Sequence, residues 1–272
     1  MRLSVRHRTL YRFDAPMQGV VQSHRLTPAR SESQTVIEWA VHVPGATVGA
    51  AFRDGAGDWV ETVTVRGPVE ELPVEVAGTV ETADCAGVLR GHRERVPPVA
   101  YLRTTRATSP DRALAALAAG AVDGIDTGDV LARAHALSRA VAAAIAYRPG
   151  QTHWHTTAAE ALEQGVGVCQ DHAHALIAAA VAEDIPARYV AGYLFSAAEE
   201  PMAEASHAWA ELHVPGLGWV GFDPSNATCP DERYIRLGSG LDAADAAPIR
   251  GMAMGQGAEA LDVAVSVEQV QQ

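Results

Sequence analysis

The chain has 272 residues, 48% hydrophobic and 20% charged, which is enough apolar content for a substantial core in one large domain or two ordinary ones. Its formal net charge of −12 repels phosphate backbones and argues against a nucleic-acid partner. No run of about 20 apolar residues is present to span a bilayer. The opening MRLSVRHRTLYRF also lacks the apolar stretch and cleavage site of a secretory signal, so the expectation is a cytoplasmic protein without a membrane partner. Three cysteines, Cys85, Cys169 and Cys229, form neither a disulfide framework nor a Cys-x-x-Cys metal knuckle, so each needs its own explanation.

Residues 2–13 alternate as a strand does, with Leu3, Val5, His7, Thr9 and Tyr11 on one face. Strand-like runs follow at 35–43, 47–52, 59–65 and 74–80, separated by turn-forming pieces such as Pro44-Gly45, the DGAGD run at 54–58 and Gly67-Pro68. Short strands at this spacing predict an antiparallel β-sandwich-like domain over residues 1–104. His7, His24 and His42 fall in these strands and turns and read as structural.

From residue 105 the composition shifts to alanine-rich helical sequence. Ser109 is the expected cap of a first helix with Pro110 at its first position, and helical runs cover 111–121, 130–146 and 157–164. After Gly165-Val166-Gly167, residues 169–183 place Cys169, Ala173, Leu176, Ile177 and Ala180 on one face of a buried helix. Strands are predicted at 187–195, 207–214 and 218–222, so residues 105–272 read as an α+β core with a C-terminal extension. In that extension 238–257 reads as an extended, partly mobile connection, and 261–267 as one more strand able to pair with either domain.

The chemistry concentrates in three pieces. In GVGVCQD a glycine-rich turn delivers Cys169 to the start of a helix, where unpaired N–H groups and the helix dipole favour a thiolate and can also stabilise an oxyanion. A free cysteine is equally often inert core. In SHAWAELH, His207, Trp209 and Glu211 share one strand face, with His207 at the strand's start. In GWVGFDPSN the strand ends at Asp223 before Pro224. A hairpin through residues 215–218 sets Asp223 beside His207, able to hold one tautomer of its ring.

As a set, GVCQDHAHALI, IPARYVAGYL, SHAWAEL and GWVGFDPSN resemble the transglutaminase-like core, a branch of the papain-like architecture. RLSVRHRTLYRF and AYRPGQTHWHTTAAEALEQG resemble the bacterial subgroup that carries a β-rich N-terminal domain. The resemblance implies Cys169 as nucleophile, His207 as general base and then acid, and Asp223 as the orienting carboxylate, with no cofactor. Gln170 and Gln164 are candidate oxyanion donors; Trp154, His172 and Trp209 are candidate cleft residues. His172 stands where the family pattern is often aromatic.

The competing reading is zinc, from His153, His155, Cys169, His172, His174 and His207. His172 and His174 lie about 200° apart around a helix and cannot converge on one ion, so no metal is expected. Glu199, Glu200 and Glu204 form an acidic loop before His207, read as a solvated loop or as a rim that draws amines. The expected reaction is acyl transfer through a thioester on a peptide or protein substrate, with water favoured over an amine as acceptor.

Overall fold

Two long strands organise the first part of the chain in the computed structural model, which describes residues 1–196 and 205–270. β1 (Arg2–His24) is followed by β2 (Gln34–His42), β3 (Ala46–Arg53) and β4 (Trp59–Thr82). β1 and β4 run antiparallel along nearly their whole lengths, from Arg2 opposite Glu81 to His24 opposite Glu61. β2 pairs with the C-terminal half of β4 and β3 with its N-terminal half. The expected face of β1 is realised: Leu3, Val5, His7 and Thr9 are all buried.

The strands of this antiparallel N-terminal part join in one continuous hydrogen-bonded sheet. Gly67-Pro68, expected to separate two strands, lies inside β4 opposite the register irregularity between Arg12 and Gly19 of β1. Proline has no N–H to give a ladder, so it is tolerated where pairing is already interrupted. A Cβ on Gly67 would sit 2.2 Å from the Met17 carbonyl oxygen, so only glycine permits this close approach.

The helical region begins after a 3₁₀ turn at Pro98–Leu102. α1 (Arg112–Val122) is capped by Asp111, whose carboxylate accepts from Leu114 N–H at 2.8 Å. The cap thus falls two residues beyond the expected Ser109, and Pro110 precedes the helix. α2 (Val130–Ala144), β5 (Ala146–Tyr147), α3 (Ala158–Gln164), β6 (Val166–Gly167) and α4 (Cys169–Ala182) follow. A capping box between Thr157 and Glu160 starts α3. α4 is buried over most of its length, and its alanines let the other helices and the second sheet approach closely.

That second sheet contains β7 (Ala187–Leu194), β8 (Ser206–Val214), β9 (Gly218–Phe222) and β10 (Tyr234–Gly240), in the antiparallel order β10-β7-β8-β9. Glu199, Glu200 and Glu204 lie outside the described residues. The chain then returns to its first sheet. β11 (Ile249–Met254) and β12 (Glu259–Gln269) both pair antiparallel with β1, β12 along its N-terminal half and β11 along its C-terminal half. The C-terminal extension therefore belongs to the N-terminal sheet by hydrogen bonding. Within 238–257, expected as an extended connection, Ile249–Met254 is strand because a long β1 offers it an edge.

Among the contacts that join the sheets, two are extensive. One is apolar: Leu3, Val5, Val80 and Val265 of the first sheet pack with Tyr193, Ile235 and Leu237 of the second. The other is a buried charge network. Glu211 accepts from Arg188 Nε at 2.7 Å and Arg236 Nε at 2.9 Å, and Arg236 Nη1 reaches Asp58, between β3 and β4, at 2.6 Å. Arg188 also pairs with Glu94 and lies 4.0 Å over the Trp219 ring. Burial alone would raise the Glu211 pKa, but Arg236 and Arg188 hold it down at about 2.

Glu211→Gln should lower unfolding stability by about 3–5 kcal/mol, since it leaves two buried guanidiniums short of a counter-charge. Because the folded pKa lies below the unfolded one, this stabilisation is present above about pH 4.5. It is lost as pH falls through about 2. Urea unfolding between pH 7 and pH 2 should show the gap between variant and wild type closing at the acid end.

Candidate active site

The nucleophile candidate is set by a short, crowded turn. α3 ends at Gly165 with φ +65°, a left-handed stop suited to glycine. β6 then pairs in parallel with β5, and α4 begins at Cys169. Asp171 folds back so that one carboxylate oxygen accepts from Val168 N–H at 2.8 Å and from the Thr152 hydroxyl at 2.6 Å. A Cβ at Gly167 would fall 2.7 Å from Asp171 Cβ, so that capping contact depends on the glycine. The His172 ring nitrogens each lie 2.9 Å from a backbone oxygen, of Val168 and of Ile145, tying the helix start to the end of α2.

β8 and β9 bring the other two residues. Ala210 pairs with Phe222 in their hairpin, which leaves His207 and Asp223 adjacent just beyond it. His207 Nε2 donates to Asp223 Oδ2 at 2.6 Å, and Cys169 lines the same cleft as the ring. With Nε2 on the carboxylate, Nδ1 is the nitrogen left for the thiol. Tyr234 Oη and Asn226 Nδ2 donate to the same Asp223 oxygen at 2.8 and 2.7 Å. Ser225 N–H and Oγ donate to the other oxygen at 3.0 and 2.5 Å. Trp209 supports the pair from below, its ring stacked 6.4 Å from that of His207.

These residues open into a cleft of about 360 Å³ between the two sheets, with Cys169, Gln170 and His207 on one side and β1 and β12 on the other. A protein of Cytophaga hutchinsonii described as a "Putative Cysteine Protease" shares this fold over 100% of the present chain and 92% of its own, with a TM-score of 0.75 at 22% identity. The model of the transglutaminase-like superfamily core matches residues 115–224, and that of the bacterial transglutaminase-like N-terminal region matches 3–81. An uncharacterized protein of Mycobacterium leprae is 33% identical over 98% of both chains. The chain belongs to the transglutaminase-like superfamily. A Mycobacterium tuberculosis protein is 40% identical over a shorter stretch, 39% of this chain and 37% of its own length.

The other predicted site residues of this transglutaminase-like chain separate in space. Gln170 lines the cleft, with its amide directed to the Trp154 carbonyl at 3.2 Å. Gln164 is exposed at the end of α3 and is not among the cleft residues. Trp154 is 83% exposed. His172 and Trp209, expected in the cleft, are buried behind it, because the first sits against the Val168 and Ile145 carbonyls and the second packs on Tyr234. His174 points elsewhere again, accepting from Ala243 N–H at 3.0 Å. Among the described residues no cluster of His, Cys, Asp or Glu forms a metal site. Tyr234 was not foreseen, since nothing in its local sequence marks it as a partner of Asp223.

The electrostatics follow from this crowding. Burial would lower the His207 pKa, but Asp223 and Cys169 raise it to about 9. Burial would likewise raise that of Asp223, yet His207, Asn226 and Ser225 hold it at about 2. The stability that His207 gains from its partners is complete below about pH 6.5. It is lost as pH rises through about 9. An NMR titration of the histidine ring signals, with His207 assigned by substitution, should find its midpoint near 9. In Asp223→Asn the midpoint should drop by one or more units; a wild-type midpoint at or below about 6.5 would refute this account of the pair.

Proposed function

We propose that this protein is a cysteine-nucleophile acyl-transfer enzyme that hydrolyses peptide or other amide bonds through a thioester on Cys169. The meeting of Cys169 and His207 in one cleft, with His207 hydrogen-bonded to a buried Asp223, carries this reading. His207 takes the thiol proton ahead of the attack and holds it as the imidazolium that its partners favour while Sγ bonds to the acyl carbon. The tetrahedral intermediate collapses, the C–N bond breaks, and His207 returns the proton to the leaving amine. Water, deprotonated by His207, then attacks the thioester and releases the acid and the free thiol. The first N–H groups of α4 have no intrahelical acceptors and would hold the oxyanion, with the Gln170 amide as a further donor. Asp223 would fix the ring orientation and support its charge. No step calls for a cofactor.

Water is the proposed acceptor because a competing amine must arrive deprotonated in a channel that limits water. Trp209 and Trp219 are buried and Trp154 is exposed, so no tryptophan-walled tunnel encloses the thioester position. The chain contains no lysine and offers no ε-amine of its own, so an adduct would report an added amine. A location in the cytoplasm is part of the same proposal.

Iodoacetamide at near-stoichiometric dose should label Cys169 before Cys85 or Cys229. Burial, and secondarily the Asp84 carboxylate, push the Cys229 thiol up and make it slow to react. Peptide mapping decides it, and preferential labelling elsewhere would overturn the nucleophile assignment. Incubation with a peptide mixture and excess primary amine, followed by mass spectrometry, should give an acyl-enzyme on Cys169 and free-acid products. Predominant amine adducts would make this a transferase. Asp223→Asn should reduce turnover by roughly two or more orders of magnitude, by analogy with serine triads. It should also destabilise the fold, because both Asp223 oxygens are acceptors and an amide offers one.

A further inference from the structure

One apolar stripe runs along β1 and β12, and its two ends meet different fates. Leu3 and Val5 on β1, with Val265 on β12, are buried against the second sheet. Further along the same strands Tyr11 stands opposite Leu261 and Thr9 opposite Val263, so these side chains continue the stripe on the same face. Here the second sheet no longer covers it. Leu261 is 56% and Val263 37% exposed, and both line the cleft that holds Cys169 and His207. Ile249 and Leu237 extend the apolar lining toward the cleft floor. The same face that serves as an interface at one end is thus open at the end overlooking the thiol, where a substrate group would complete its burial.

From this we infer that the N-terminal sheet is a specificity element: Tyr11, Leu261 and Val263 form a subsite for a large apolar side chain beside the acyl carbon of the substrate. The inference rests on Cys169 being the nucleophile and adds the substrate class, an acyl donor bearing an aliphatic or aromatic group. The side chains near the thiol, His207 and Gln170 with Val168, Ala191 and Ala208, are polar or small, whereas Tyr11, Leu261 and Val263 offer a large group more apolar area to cover. β12 comes from the C-terminus and β1 from the N-terminus, so both chain ends contribute to selection without touching the reacting atoms.

The test compares alkylation of Cys169 by iodoacetamide and by N-hexyl iodoacetamide, each forming an S–C bond with loss of iodide. The hexyl reagent should react at least tenfold faster, about 1.4 kcal/mol in the transition state. In Leu261→Asp/Val263→Asp that ratio should fall below about threefold. Leu261→Ser, a milder change at an exposed position, should give an intermediate ratio and guards against a double variant that does not fold. Met252→Asp, on β11 of the same sheet and outside the cleft lining, should keep the wild-type ratio. A wild-type ratio near one, or a high ratio that survives at Leu261 and Val263, would overturn the subsite. Slow labelling of Cys169 by iodoacetamide itself would instead overturn the nucleophile reading on which it rests.

Discussion

The buried carboxylate of Glu211, held between Arg188 and Arg236, is the contact on which the arrangement of the two sheets depends. An isolated charge at that depth would be prohibitive, and the two guanidiniums make it tolerable only when all three strands β7, β8 and β10 keep their register. Through Asp58 and Glu94 the network also reaches segments of the N-terminal half. The face of β8 that ends in this charge begins with His207, two pleats away, so the strand that positions the imidazole is anchored by the interface between the halves. Such directional bonds select one docking geometry, where an apolar contact alone would accept several.

The start of α4 is restrained in a comparable way. Asp171 closes the turn from one side and His172 from the other, and neither reaches into the cleft. An aromatic ring at position 172 would fill space, whereas the imidazole also donates its one N–H to a backbone carbonyl, with the Val168 and Ile145 oxygens each 2.9 Å from a ring nitrogen. The departure from the family's common residue is therefore accounted for by backbone hydrogen bonding. His174, about 200° around the helix from His172, accepts from Ala243 N–H in the segment after β10.

The cleft itself belongs to neither half alone. Its reactive side is built by α4, β7 and β8, and its opposite side by the first sheet, which is completed by the last strand of the chain. A chain that closes its first sheet with its C-terminus must fold the core between the two pairing partners. That places the core sheet against the apolar end of the β1–β12 stripe and leaves the other end open over the thiol.

Most of the core's elements were legible because their signals are local. The strand 218–222, the helix at 157–164, the cysteine at a helix start and the shared face of His207, Trp209 and Glu211 follow from periodicity and glycine placement. The local pattern was misleading where a distant partner decides. Gly67-Pro68 looks like a turn but lies within β4, because β1 has its irregularity opposite. β10, with its glycines and serine, is a strand because β7 offers an edge to it. The sequence determined which residue types could do acyl chemistry and which strands and helices would carry them. Only the tertiary structure decided that Tyr234 supports Asp223, that His172 and Trp209 stand behind the cleft, and that Leu261 lines the same cleft as the thiol. Those are contacts between residues remote along the chain, and hydrogen bonding and burial across such distances leave no local periodic trace.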